Sequence, residues 1–339
     1  MINWDIGSGG DYSSWGAALV ALASASPLAD DYTLTQISDT TEPGVPWGGP
    51  GYGPDVDLNG HSVVFDSDNP HNGDPTAGWL ASCAVANTAN IGISVFGSSG
   101  SLEIKNLKVR NSAGIWDIEV HVYGSASAKV HDIIASGANT SFGNAFVNLS
   151  ATASLEVWNF SANEYNGVGA ITTDGTEPIT VENCVGMNSV YGFRDSGTGI
   201  VTFNSCVAFG NAIGDFDNGW TNMFVYNSYS EDGSVLTEPD GGSGNASGIN
   251  PATEFVSTTY SNPDYLKVVP GGTLATGGIT PTITGNTAGV RGDARPGADA
   301  QTSAGVDEYS PPSPSIRSGG GGGGGNMLGV VMAAISAGY

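Results

Sequence analysis

One short pattern returns six times between Leu102 and Ser230, and it restricts the fold more than any other feature of the chain. The blocks are Ile104-Lys105-Asn106-Leu107, Val130-His131-Asp132-Ile133, Val157-Trp158-Asn159-Phe160, Val181-Glu182-Asn183-Cys184, Phe203-Asn204-Ser205-Cys206 and Val225-Tyr226-Asn227-Ser228. Their first residues lie 26, 27, 24, 22 and 22 residues apart. A period in the twenties marks a solenoid, in which each repeat buries its apolar face only against its neighbours. Apolar and polar side chains alternate, as in Leu102 and Ile104 or Leu155 and Val157, the period of a strand with one buried face. Gly-, Ser-, Asn- and Asp-rich pieces such as Gly97-Ser98-Ser99-Gly100, Asp195-Ser196-Gly197-Thr198-Gly199 and Asn218-Gly219 separate the blocks as turns. Stacking such coils makes parallel sheets along the stack.

The third residue of each block is Asn106, Asp132, Asn159, Asn183, Ser205 or Asn227. Small polar side chains suit a tight turn, because Asn and Asp tolerate left-handed geometry and hydrogen-bond nearby backbone. Over roughly residues 55 to 235 the sequence resembles right-handed parallel β-helix proteins. That resemblance implies an all-β, single-stranded right-handed parallel β-helix with an inward Asn ladder at one turn. It defines a fold and not a function.

Gly and Pro supply 52 and 17 of 339 residues, about a fifth, which fits an ordered body with Gly-rich ends. Nine Lys and Arg face 33 Asp and Glu, for a net charge of −24. Only Lys105, Lys108 and Arg110 cluster, so neither nucleic acid nor an anionic membrane is an expected partner. Cys184 and Cys206 hold the same place in consecutive blocks and are expected to stack in the interior. Cys83 makes the count odd, and no Cys-x-x-Cys accompanies any of them. The N-terminus lacks the basic start and apolar core of a secretory signal, and no stretch reaches membrane-spanning length. Synthesis in a cytoplasm is therefore expected.

Residues 1–30 read as an N-terminal segment carrying a helix from about Ser13 to Ser24, with Trp15, Leu19 and Leu22 on one face, able to cover an open end of the stack. Residues 31–310 form the β-helix and its close, with Leu34 to Ile37 as a first strand. The Gly10-Asp11-Tyr12 start, the helix and Leu58-Asn59-Gly60-His61 are similar to a β-helix group abundant in bacteriophage genomes and some bacterial surface proteins. Arg295-Pro296 followed by Gly305-Val306-Asp307-Glu308-Tyr309 resembles the closing segment of that group, with Val306 replacing the usual Ala. Residues 311–325 are a Pro- and Gly-rich linker. Residues 326–339 are an apolar peptide without a charged side chain, in which Met327, Leu328, Val330, Val331, Met332, Ile335 and Tyr339 are the candidate attachment or assembly residues.

For chemistry, the weak catalytic candidates are the turn acids Asp195, Asp215 and Asp217, with Glu231 and Asp232 beside them. Glycosidases need two facing carboxylates, and lyases of this fold cluster acids for calcium beside a basic proton acceptor. His61, His71, His121 and His131 lack metal-ligand spacing and read as structural, so no metal and no cofactor is expected. Arg291-Gly292-Asp293 reads as part of the closing pattern rather than as an adhesion tripeptide. The resulting expectation is a non-catalytic bacteriophage virion protein, as capsid decoration or as a tail fibre or spike. Its expected partners are other virion proteins and a host glycan, and the resemblance implies a homotrimer. The alternatives are a polysaccharide-binding or polysaccharide-degrading lyase or glycosidase, and a bacterial surface adhesin.

Overall fold

The structure is a computed structural model that describes residues 1–42, 55–68, 80–83, 91–96, 99–111, 118–122, 124–140, 154–165, 169–173, 176–219, 222–291, 293–295 and 302–308. Every pairing between its named strands is parallel, and corresponding residues of successive coils lie in register. One column makes the construction plain. Leu34, Phe65, Ile104, Val130, Val157, Val181, Phe203 and Val225 sit above one another in eight consecutive coils, all buried. Alternation puts each of these side chains inside, and parallel stacking at about 4.8 Å brings like onto like. The chain is thus an all-β parallel β-helix. Among the described residues its largest sheet has 17 strands, because Ser127–Thr140 and Ser154–Tyr165 run unbroken round the turn and join two faces. Two three-stranded sheets, one of them Ile171–Thr173, Tyr191–Asp195 and Gly214–Asn218, close a further side.

The stack starts earlier than the sequence suggests. Ile2–Ile6 is its first strand and pairs with Tyr32–Gln36, so the expected first strand near Leu34 is the second. Helix α1, Trp15–Ser24, lies between them; Ser14 caps it, its hydroxyl accepting the Ala17 N–H at 3.2 Å. It buries Trp15, Ala18, Leu19 and Leu22, with the Trp15 ring 5.3 Å from Phe65. Cys184 and Cys206 are free thiols with no exposed surface in the interior, and desolvation pushes the Cys184 thiol well up. After helix α2, Ser234–Thr237, a last short coil follows in Gly241–Ser243 and Ala246–Ser247.

All six third-position residues adopt left-handed backbone, with φ between 46° and 56°. Their side chains do not form one inward ladder. Asn159 donates to Asp132 at 2.8 Å, but its amide also donates to the Ala288 carbonyl, and Asn183 donates to the Ser303 carbonyl. The Ser205 hydroxyl accepts the Ile279 N–H. These partners belong to the closing segment, whose described residues, 250–291, 293–295 and 302–308, lie along the flank of the stack. There the second strands of the coils turn apolar side chains outward: Val185, Val207 and Tyr229 in one column, Met187 and Phe209 in another. The segment covers them with Phe255, Tyr265, Leu266, Val268, Leu274 and Val306, making a second buried cluster beside the interior one.

Candidate functional site

The three acids singled out from the sequence sit on two adjacent strands, Tyr191–Asp195 and Gly214–Asn218. Asp217 pairs in register with Arg194 and Asp195 with Asn218, so no two of the three are cross-strand partners. Asp195 is buried, and its Oδ1 accepts the Gly197 N–H at 3.0 Å and the Thr173 hydroxyl at 3.2 Å. Asp215 is buried too. Its Oδ2 accepts the N–H groups of Glu231 and Asp232 at 2.7 and 3.1 Å and its Oδ1 the Asn211 amide at 2.7 Å. Burial nevertheless raises its pKa above the ordinary carboxylate value. Asp217 meets Arg194 Nε at 2.9 Å, the Arg194 guanidinium lying 5.2 Å from the Tyr191 ring centre. Burial raises the Asp217 pKa and Arg194 pulls it back.

A denser constellation lies on the outer face of the first strands, where the sequence reading saw only a structural histidine. Because Leu102, Ile104, Ala128 and Val130 point inward, Glu103, Lys105, Lys129 and His131 point outward, one coil above the next. His131 Nε2 lies 3.0 Å from Glu103 Oε1 and Nδ1 2.7 Å from Asp132 Oδ2. Its ring stacks on Trp158 at 4.0 Å and 6°. Lys105 Nζ sits 3.6 Å from both Asp66 and Glu103, and Lys129 pairs with Glu156 at 3.6 Å. Desolvation opposes charge on His131, yet the two carboxylate hydrogen bonds together outweigh it and raise the pKa. The hydrogen bond from His131 holds Glu103 below its usual value. The arrangement is an imidazole clamped between two carboxylates, whose negative charge favours its protonated form. Its signal stood in the repeat itself: second positions of the first three blocks, Lys105, His131 and Trp158, form one outward column.

The fourth member of that column, Glu182, is buried beneath the closing segment. Its carboxylate accepts the N–H groups of Thr282 and Ile283 at 2.9 and 3.2 Å, the Thr282 hydroxyl, and the amides of Asn286 and Asn204 at 3.1 and 3.3 Å. Arg295 is buried alongside and donates to Asn159 Oδ1 at 3.0 Å and to the Gly305 and Ser303 carbonyls at 3.1 and 3.3 Å. Glu308 faces it at 3.6 Å and accepts the Ser303 N–H. Asp307 accepts the Val268 N–H at 3.2 Å and lies 3.4 Å from Arg291, which also donates to the Pro263 and Tyr265 carbonyls. Burial pushes Asp307 up to about 6 and Glu308 to about 7, the arginines opposing, while desolvation lowers the Arg295 pKa. Arg295, Asp307 and Glu308 of the closing pattern thus act as a latch, and Arg291 of the adhesion-like tripeptide belongs to it.

His61 reaches Asp31 at 3.4 Å, whereas His71, the His121 side chain and Met327, Leu328, Val330, Val331, Met332, Ile335 and Tyr339 lie outside the described residues. Among the described residues no group of three or more His, Cys, Asp and Glu has the geometry to hold a metal ion, and no helix is long and apolar enough to cross a membrane.

No family model matches the chain, and no curated protein matches it. Among solved structures it is similar to the crystal structure of pectate lyase Pel9A, at 10% sequence identity, over 91% of this chain and 97% of that one, with a TM-score of 0.43. So distant a likeness carries no argument about chemistry.

Proposed function

We propose that this chain is a non-catalytic structural protein displayed on a bacteriophage particle, as capsid decoration or as a fibre or spike, attached or assembled through residues 326–339. The observation that carries the non-catalytic part is the use made of the turn acids. Asp195 and Asp215 are occupied by backbone N–H groups and Asp217 by Arg194, whereas a glycosidase needs two carboxylates facing each other across about 5 to 10 Å. Support for a display role is the registered stack latched along its flank, together with the Gly319–Gly325 linker that leads to an apolar peptide. The phage setting, a homotrimer, other virion proteins as partners and a possible host glycan follow from the resemblance in the start and close of the sequence.

The test is binding of purified protein to particles that lack it, with the intact chain and a chain truncated after Ser318. The reading expects the intact chain to bind and the truncated one to fail while keeping its β circular-dichroism signal. Equal binding by both removes the peptide as the anchor.

The His131 cluster favours a second reading, a polysaccharide-binding or polysaccharide-degrading protein with a proton donor on the coil flank. This reading expects host polysaccharides to be cut into products that Glu103→Gln abolishes; an uncut panel removes it.

A further inference from the structure

The two ends of the stack are finished differently. Helix α1 lays four buried side chains against the first coils. At the other end, Gly241–Ser243 and Ala246–Ser247 each pair on one side only among the described strands. Gly242 stands where Val225, Phe203 and Val181 stand in the preceding coils, so the inward column stops there. Its φ of +129° suits glycine alone, and a Cβ would fall 1.7 Å from the Val225 carbonyl oxygen. Gly242, Ser243 and Gly244 are exposed, which leaves a strand edge open to pairing. Beside it Val235, Leu236, Pro239 and residues 241–245 line an open groove of about 290 Å³ that has no charged side chain, with Leu236 58% exposed.

We propose that in the isolated protein this groove is occupied by the chain's own C-terminal peptide, Met327–Ile335, added as one more strand beside Gly241–Ser243. The peptide has no charged side chain in a protein of net charge −24, and alternation puts Leu328, Val330 and Met332 on one strand face. An apolar strand and an uncharged edge groove are matched by strand addition, in which main-chain hydrogen bonds give affinity and alternate side chains give fit. Reach favours the chain's own peptide over that of another copy. The Gly305 N–H bonds to the Ser205 carbonyl, and only the coil containing Met223–Tyr226 separates Ser205 from Gly241–Ser243. Two coil spacings are about 10 Å. A stretch as long as residues 309–326, between Glu308 and the peptide, would have a root-mean-square span of about 20–25 Å as a random coil. An effective concentration on the order of millimolar follows, above that of any second copy in dilute solution. The inference rests on the proposed function in one respect, that the peptide is the attachment element: the groove shelters it until the particle takes it.

The experiment is hydrogen exchange by mass spectrometry on the intact chain, the chain truncated after Ser318, and intact chains carrying Val330→Asp or Leu236→Asp. Mass is followed by light scattering at each concentration. The expected result is that amides of residues 242–245 exchange about tenfold more slowly in the monomeric intact chain than in all three variants, independently of protein concentration. Equal exchange in intact and truncated chains overturns the proposal. So does protection that rises with concentration together with mass, which assigns the groove to the peptide of a second copy. Particle binding is a separate arm. Lost binding with unchanged exchange overturns the docking and leaves the proposed function standing. Changed exchange with undiminished binding upholds the docking and overturns attachment through the peptide.

Discussion

Asn159 holds a left-handed backbone at φ 51° while its side chain joins a turn of the stack to Asp132 below, and to Ala288 and Arg295 on the flank. Replacing it by Ala keeps the left-handed φ that Asn already adopts, and leaves the buried Arg295 short of an acceptor, at about 1–3 kcal/mol. Asn159→Ala is therefore expected to lose about 1–3 kcal/mol in urea unfolding, and Asn159→Gly about 1 kcal/mol less, because Gly relieves the left-handed strain. The sequence made the turn chemistry of such residues legible, because Asn and Asp at a fixed repeat position point to one backbone conformation. The side-chain partners were illegible, since Ala288 and Arg295 lie 129 and 136 residues away. The same scale governs pH. His131 is raised above 6.5, Asp307 is raised to about 6 and Glu308 to about 7. Groups raised on folding contribute stability that is complete below their unfolded pKa and is lost as pH rises through the folded one. Glu103 is lowered, so its contribution is lost only as pH falls below the ordinary glutamate range. The denaturation midpoint is thus expected to fall from about pH 5 to about pH 7. Glu308→Gln should flatten that fall, and a midpoint that climbs over the same range contradicts the assignment.

Helix α1 was legible to within two residues, since a Ser before an Ala- and Leu-rich run is both cap and amphipathic pattern. Trp15 is its largest buried side chain, and Trp15→Ala is expected to cost about 3–5 kcal/mol in chemical unfolding. The closing segment was legible as a pattern but not as an element, because apart from single helical turns at Pro251–Glu254 and Thr273–Thr276 it is held by turns, isolated bridges and buried ion pairs. One signal did announce what it covers. Val185-Gly186-Met187 and Val207-Ala208-Phe209 are apolar without alternation, the mark of strands buried on both faces. A chain ending at Gly248 is expected to expose Val185, Met187, Val207 and Phe209, to bind a hydrophobic dye and to self-associate. A truncated chain that stays monomeric and dye-free would place the segment's role elsewhere.

A bare solenoid is held by nearest-neighbour contacts and can open coil by coil. Here the closing segment bonds to Asn159, Glu182, Asn183, Ser205 and Tyr229, the Tyr229 hydroxyl donating to the Gly277 carbonyl, and so joins successive coils along one flank. The period revealed the stack, while the strand Ile2–Ile6 escaped it because a single short run has no second copy against which to be aligned. The bonds from the closing segment tie it and the coils into one rigid unit. The most direct measurement is native-state hydrogen exchange against denaturant, comparing Ile179–Glu182 and Val201–Asn204 with the closing segment from Tyr265 to Val306. A latched stack has one shared opening, with the same free energy and the same denaturant dependence for coils and segment. A segment that opens alone while the coils stay protected, or coils that open one after another, would contradict it.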